Sequence, residues 1–142
     1  MRKLLPVALA LCMYSNGHAA DFAAGFAAGA QAYDGGRYAE AYAEWRALAE
    51  AGDARAQVAV AGMYRHGDGR PVDLRAAARW YREAAEAGNP IAQLNYAEML
   101  RDGLGVGRDV QAARLWYDRA ARQGNAWAAD RRDALDGPNK SP

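Results

Sequence analysis

The chain has 142 residues, 51% hydrophobic and 25% charged, with 18 basic residues, 17 acidic residues and a single cysteine. That length and composition fit one compact domain. A near-zero net charge with the signs interleaved argues against a nucleic-acid or membrane-surface binder, and one cysteine cannot build an internal disulfide framework.

The first segment, "MRKLLPVALALCMYSNGHAAD", opens on Arg2 and Lys3, runs apolar from Leu4 to Met13 and ends in small residues. This is the layout of a secretory leader, expected to occupy residues 1–19. Cleavage after Ala19 leaves Gly17 and Ala19 at the two small-residue positions, whereas cleavage after Ala20 would place His18 at one of them. The alternative is a buried N-terminal helix. An apolar run of about ten residues is too short to span a bilayer, so no transmembrane anchor is expected. Cys12 ends a "LALC" stretch that resembles a bacterial lipobox, but Leu11 stands where that motif wants a small residue, and lipidation is not expected. Without the leader the chain carries no cysteine, and losing Arg2 and Lys3 lowers the basic count from 18 to 16 against 17 acids. The expected location is therefore periplasmic or secreted, with a fold held by packing alone.

The rest of the chain repeats itself. Residues 54–89 align without a gap on 90–125 at a shift of 36. The shift pairs Gln57 with Gln93, Gly67 with Gly103, Gly69 with Gly105 and Asp73 with Asp109, and then Trp80-Tyr81 with Trp116-Tyr117 and Gly88-Asn89 with Gly124-Asn125. Each unit reads as helix, glycine turn, helix. Ala77, Trp80, Tyr81, Ala84 and Ala85 recur at helical spacing and predict one apolar stripe, with Arg75, Arg79, Arg82 and Glu86 on the opposite side. Asp73 is an expected N-cap, and Gly88 an expected C-terminal glycine. The first helix of the unit places Ala56, Val60 and Tyr64 inward.

Residues 20–53 form a weaker copy with Phe22, Phe26 and Tyr33 on one helix, Tyr38, Ala41, Tyr42, Trp45 and Ala49 on the next, and a shorter Asp34-Gly35-Gly36 turn. Residues 126–135 read as a capping helix whose middle, "DRRD", puts Arg132 and Asp133 where the repeat would demand core residues. A disordered tail is expected over 136–142.

The pattern A-Q-x-x-x-A/G…G-x-G…D…A…W-Y-x-x-A-A…G-N at this period resembles the Sel1-like repeat family, relatives of tetratricopeptide repeats. Departures are Val60 and Tyr96 for a usual leucine, Leu100 for a usual tyrosine, and Pro71 within one loop. The resemblance implies an all-α fold, a short right-handed α/α solenoid of stacked helix-turn-helix units. It also implies a protein-interaction role.

The glycine stretches "HGDGRPVD" and "DGLGVGRD" could suggest phosphate loops, but they recur once per unit, join two helices and follow no strand pattern. They are read as turns whose glycines need positive φ. "DGRPVD" also lacks the acidic spacing of a calcium loop. Beyond the leader the chain has no Cys or Thr, one histidine (His66) and one serine (Ser141), which cannot form a serine or cysteine triad or a zinc site. Glu83, Glu86, Glu98, Asp102 and Asp109 read as solvated faces rather than an acid/base pair. Some cysteine-rich secreted members of the Sel1-like family are classed as penicillin-binding or β-lactam-hydrolysing. This chain has neither their cysteine pairs nor a reactive constellation, so no enzymatic activity and no metal or other cofactor are expected.

A binding face remains. In stacked helical hairpins the inner surface is lined by first helices. There the side away from the core carries Arg55, Val58 and Arg65, and one repeat on Ile91, Leu94, Glu98 and Arg101. An apolar strip rimmed by charge suits an extended peptide or partner helix, unless Val58 and Leu94 pack within the stack. Leu115 is a further outward position. The leading expectation is an exported, non-enzymatic adaptor or scaffold of the bacterial envelope. The alternatives are a self-associating structural repeat protein and a secreted peptidoglycan- or β-lactam-active protein.

Overall fold

The computed structural model describes residues 7–137, with side chains from Ala19 onward. Residues 1–6 and 138–142, which hold the start of the expected leader and most of the expected tail, lie outside the described residues. Seven helices and no strands occur among the described residues: α1 (Val7–Asp34), α2 (Tyr38–Glu50), α3 (Ala54–His66), α4 (Leu74–Glu86), α5 (Pro90–Asp102), α6 (Val110–Arg122) and α7 (Ala126–Leu135). Each helix packs chiefly on the one before and the one after it, as a solenoid of hairpins requires. None is long and apolar enough to cross a membrane.

The helix limits follow from local chemistry. Asp53, Asp73, Asn89, Asp109 and Asn125 sit at N-caps, and their side chains accept backbone N–H groups of the first turn. Pro90 adds a favourable first-turn residue to α5. Gly67 and Gly103 close α3 and α5 in the left-handed region, at φ 76° and 69°. Gly88 and Gly124 also take positive φ just beyond α4 and α6.

The second glycine of each long turn has an additional, long-range role. A Cβ at Gly69 would lie 2.5 Å from the Tyr38 Cβ, and one at Gly105 would lie 2.0 Å from the Leu74 carbonyl oxygen. Tyr38 and Leu74 each begin the second helix of the preceding hairpin. The missing side chain therefore lets each turn dock on its neighbour's backbone.

The core is made mostly of alanine, which brings helices close together, and is filled out by Trp45, Val60, Met63, Trp80, Tyr81, Tyr96, Met99, Leu100 and Tyr117. All five residues of the expected α4 stripe are buried. The α6 copy differs, because Tyr117 is fully buried while Trp116 is only half-buried, edge-on to Tyr96. The repeated glutamine is structural: Gln57 donates to the Ala49 carbonyl and Gln93 to the Ala85 carbonyl, both at 3.2 Å. Each satisfies an end of the preceding second helix from a buried position. At the far end, Asp136 caps α7 and pairs with Arg114, so this residue of the expected tail is held in place.

Candidate partner-binding face

The first helices α3, α5 and α7 lie side by side, and polar contacts across them show it. The Arg65 guanidinium donates to Asn95 Oδ1 at 2.9 Å and approaches Glu98 at 3.8 Å, while Arg131 approaches the other Glu98 oxygen at 3.7 Å. Glu98 thus bridges cations from both neighbouring first helices. Beneath this network lie two buried tyrosines in equivalent positions. Burial pushes the Tyr81 hydroxyl up against the opposing pull of Arg65, and burial does the same to Tyr117 against Arg101. Tyr117 Oη is buried without a hydrogen-bond partner among the described residues.

The residues expected on this face divide into three groups. Arg65 and Glu98 belong to the bridge. Val58 and Leu94 are half-buried and pack against the core, which makes them the floor of the face rather than projecting contacts. Arg55 and Arg101 are engaged locally. Arg55 pairs with Asp53 at 3.0 Å and lies 4.9 Å over the Phe26 ring, and Arg101 grips Asp102 through two contacts of 2.7 Å. Burial raises the Asp53 carboxyl, yet hydrogen bonds from Arg55 and the first-turn amides outweigh it and hold the group below the usual carboxylate range.

Ile91 projects, with 54% of its surface exposed. One repeat further on, at the same position of α7, Trp127 is 72% exposed. A shift of 36 from Ile91 could have found Trp127, and the same shift from Asn95 leads to Arg131. The face therefore consists of an exposed Ile91–Trp127 pair, a half-buried Val58–Leu94 floor and a charged Arg65–Glu98–Arg131 rim.

No group of three or more His, Cys, Asp or Glu residues that could hold a metal occurs among the described residues. His66 lies exposed in the last turn of α3.

A stack of glycine-turn helix hairpins with one shared first-helix face defines an α-solenoid repeat protein. The Sel1 repeat family model matches residues 54–89 and 90–125. The chain belongs to the Sel1 repeat family, whose members generally mediate protein–protein interaction and are typically non-enzymatic scaffolds. A solved Sel1 repeat protein from Oxalobacter formigenes is 34% identical, with a TM-score of 0.75 over 87% of this chain and 96% of that one. The protective antigen c5321, present in uropathogenic Escherichia coli strains and displaying an SLR fold, is 32% identical with a TM-score of 0.75. That match covers 80% of this chain but 25% of the antigen, so the chain spans about a quarter of it. Helicobacter pylori cysteine rich protein B shares the fold at 21% identity and a TM-score of 0.61, over 63% of this chain and 68% of that one. No curated protein matches the chain at a significant level.

Proposed function

We infer that this chain is an exported, non-enzymatic interaction module of the bacterial envelope that holds a partner peptide or helix on its first-helix face. The observation that carries the reading is the Ile91–Trp127 pair. Two large apolar side chains at equivalent positions of adjacent first helices are exposed beside an ion bridge that fixes the spacing of those helices. Exposed aromatic anchors beside a polar rim are the usual carriers of binding energy. The leader-like residues 1–19 support export, and the c5321 relative, a protective antigen, fits a protein displayed outside the cytoplasm.

The test is a crosslinking capture from an envelope extract with the full chain, beside an Ile91→Glu/Trp127→Glu variant. Both side chains are more than half exposed, so the variant keeps its helical circular dichroism and its melting temperature. A partner lost only in the variant supports this face; a partner retained in full removes it. Self-association is a second reading, because Leu115 (65% exposed) and Trp127 leave apolar surface on the last hairpin. Light scattering on the same two proteins separates the readings, since only self-association requires an oligomer that the variant dissolves.

A further inference from the structure

Each second helix forms a seam with the first helix that follows it, and the 36-residue repeat makes the three seams comparable position by position. In the first seam, between α2 and α3, Tyr42 and Arg70 occupy the groove. The Arg70 guanidinium carbon lies 3.0 Å from the centre of the Tyr42 ring, and the Tyr42 hydroxyl meets those of Tyr64 and the guanidinium of Arg46, each at 2.6 Å. In the third seam, between α6 and α7, ion pairs line the groove: Arg132 with Asp118 at 2.8 Å, and Arg114 with Asp136.

The second seam, between α4 and α5, has neither the ring closure nor the ion pairs. Ala78 replaces Tyr42 and Val106 replaces Arg70, leaving a notch of about 260 Å³. Ala78, Tyr96 and Val106 line its apolar floor, and Arg75, Arg79 and Arg82 rise along one face of α4 around it. Arg82 is paired with Glu86 at 2.8 Å, but Arg75 and Arg79 make no hydrogen bond or ion pair among the described residues. The two carboxylates that act on the Tyr96 hydroxyl are already committed, Glu86 to Arg82 and Asp109 to capping α6. The notch shares no residue with the Ile91–Trp127 face.

We propose that this notch binds an acidic peptide segment of a protein partner, seating one apolar side chain on Ala78, Tyr96 and Val106 between carboxylates held by Arg75 and Arg79. Charge complementarity selects the occupant: unpaired guanidinium groups recognise planar carboxylates through paired hydrogen bonds. The apolar floor distinguishes a peptide from a bare anion, because it offers an inorganic ion nothing. A pentapeptide EDLDE places carboxylates on both sides of one apolar Leu.

The test is fluorescence anisotropy of fluorescein-labelled EDLDE with the full chain at low salt, against EDSDE and with inorganic tripolyphosphate as competitor. The expected result is saturable binding of EDLDE, with EDSDE weaker by about fivefold or more, the worth of one buried apolar group. Arg75→Glu/Arg79→Glu, at two exposed positions, weakens EDLDE by about tenfold or more. A second variant, Ala78→Tyr/Val106→Arg, copies the first seam's own closure into the notch. It lowers EDLDE binding to a similar extent while keeping every rim arginine. Equal binding of EDLDE and EDSDE, with tripolyphosphate displacing both, overturns the peptide in favour of a bare anion. Binding unchanged in either variant overturns the site, and so does no binding by the wild-type chain.

Discussion

The first and second seams are built from the same positions of the same repeat, yet side chains of the chain itself fill one and leave the other open. In the first, Tyr42 reaches across to Tyr64, and Arg70 of the glycine turn lies on its ring. In the second, the corresponding residues are Ala78 and Val106, and the space they vacate is ringed by cations. The backbone that carries both is unchanged, with equivalent caps and equivalent positive-φ glycines. In a stack of this kind, architecture resides in alanines, glycines and caps, and individuality in a few side chains per seam.

The strongest way to break the comparison is at the docking glycines. Both Gly69 and Gly105 have φ near +67°, so alanine is strained at either. At Gly105 the new Cβ would also strike a backbone carbonyl, whereas at Gly69 it meets the Cβ of Tyr38 on a turn at the end of a helix. Gly105→Ala is expected to cost about 4 kcal/mol and Gly69→Ala about 2 kcal/mol. Urea denaturation of the two variants checks the order, and equal losses would mean that φ strain alone sets the cost.

A smaller effect comes from opening the closed seam. Tyr42→Ala removes a half-buried ring, its hydroxyl contacts and the surface on which Arg70 lies, and is expected to cost about 2–3 kcal/mol. It should also give the first seam a notch like the second. A loss below about 0.5 kcal/mol would show that Arg70 closes the seam without the ring.

Much of this was legible in the sequence because it is periodic or local. The stripe from Ala77 to Ala85, the Asp73 cap and the positive φ of Gly88 each depend on spacing along one helix. What escaped depends on contacts across repeats. Gly69 and Gly105 read as turn residues, but the nearness of Tyr38 and Leu74 about thirty residues earlier is visible only once the hairpins stack. For Val58 and Leu94 the sequence left open whether they project or pack within the stack, and the stack half-buries them. Arg101 looked like a rim charge, yet it turns to its own neighbour Asp102. Trp127 was the clearest missed signal. Its register with Ile91, one repeat earlier, places it on the exposed face.

The gentlest probe of the comparison lies in the glycine turns. Asp68 of the first turn accepts a hydrogen bond from Tyr33 Oη at 2.8 Å, tying the turn to α1, while its equivalent in the second turn, Leu104, packs against the core. The hydrogen bond to Asp68, followed by burial, pushes the Tyr33 hydroxyl up from 10.0 to about 12. A hydroxyl whose pKa is raised by folding stabilises the fold fully below pH 10 and loses that contribution as pH climbs through about 12. Tyr33→Phe should therefore cost about 1 kcal/mol at pH 8. Its deficit against the parent should shrink as pH rises from 10 toward 12, as read by urea midpoints at each pH. Other buried tyrosines soften both proteins alike in that range, so the difference between the two curves isolates the Tyr33–Asp68 contact. A deficit that stays constant with pH would assign the loss to packing of the ring. A Leu104→Ala variant in the second turn should show no such pH dependence, because no ionisable group is removed there.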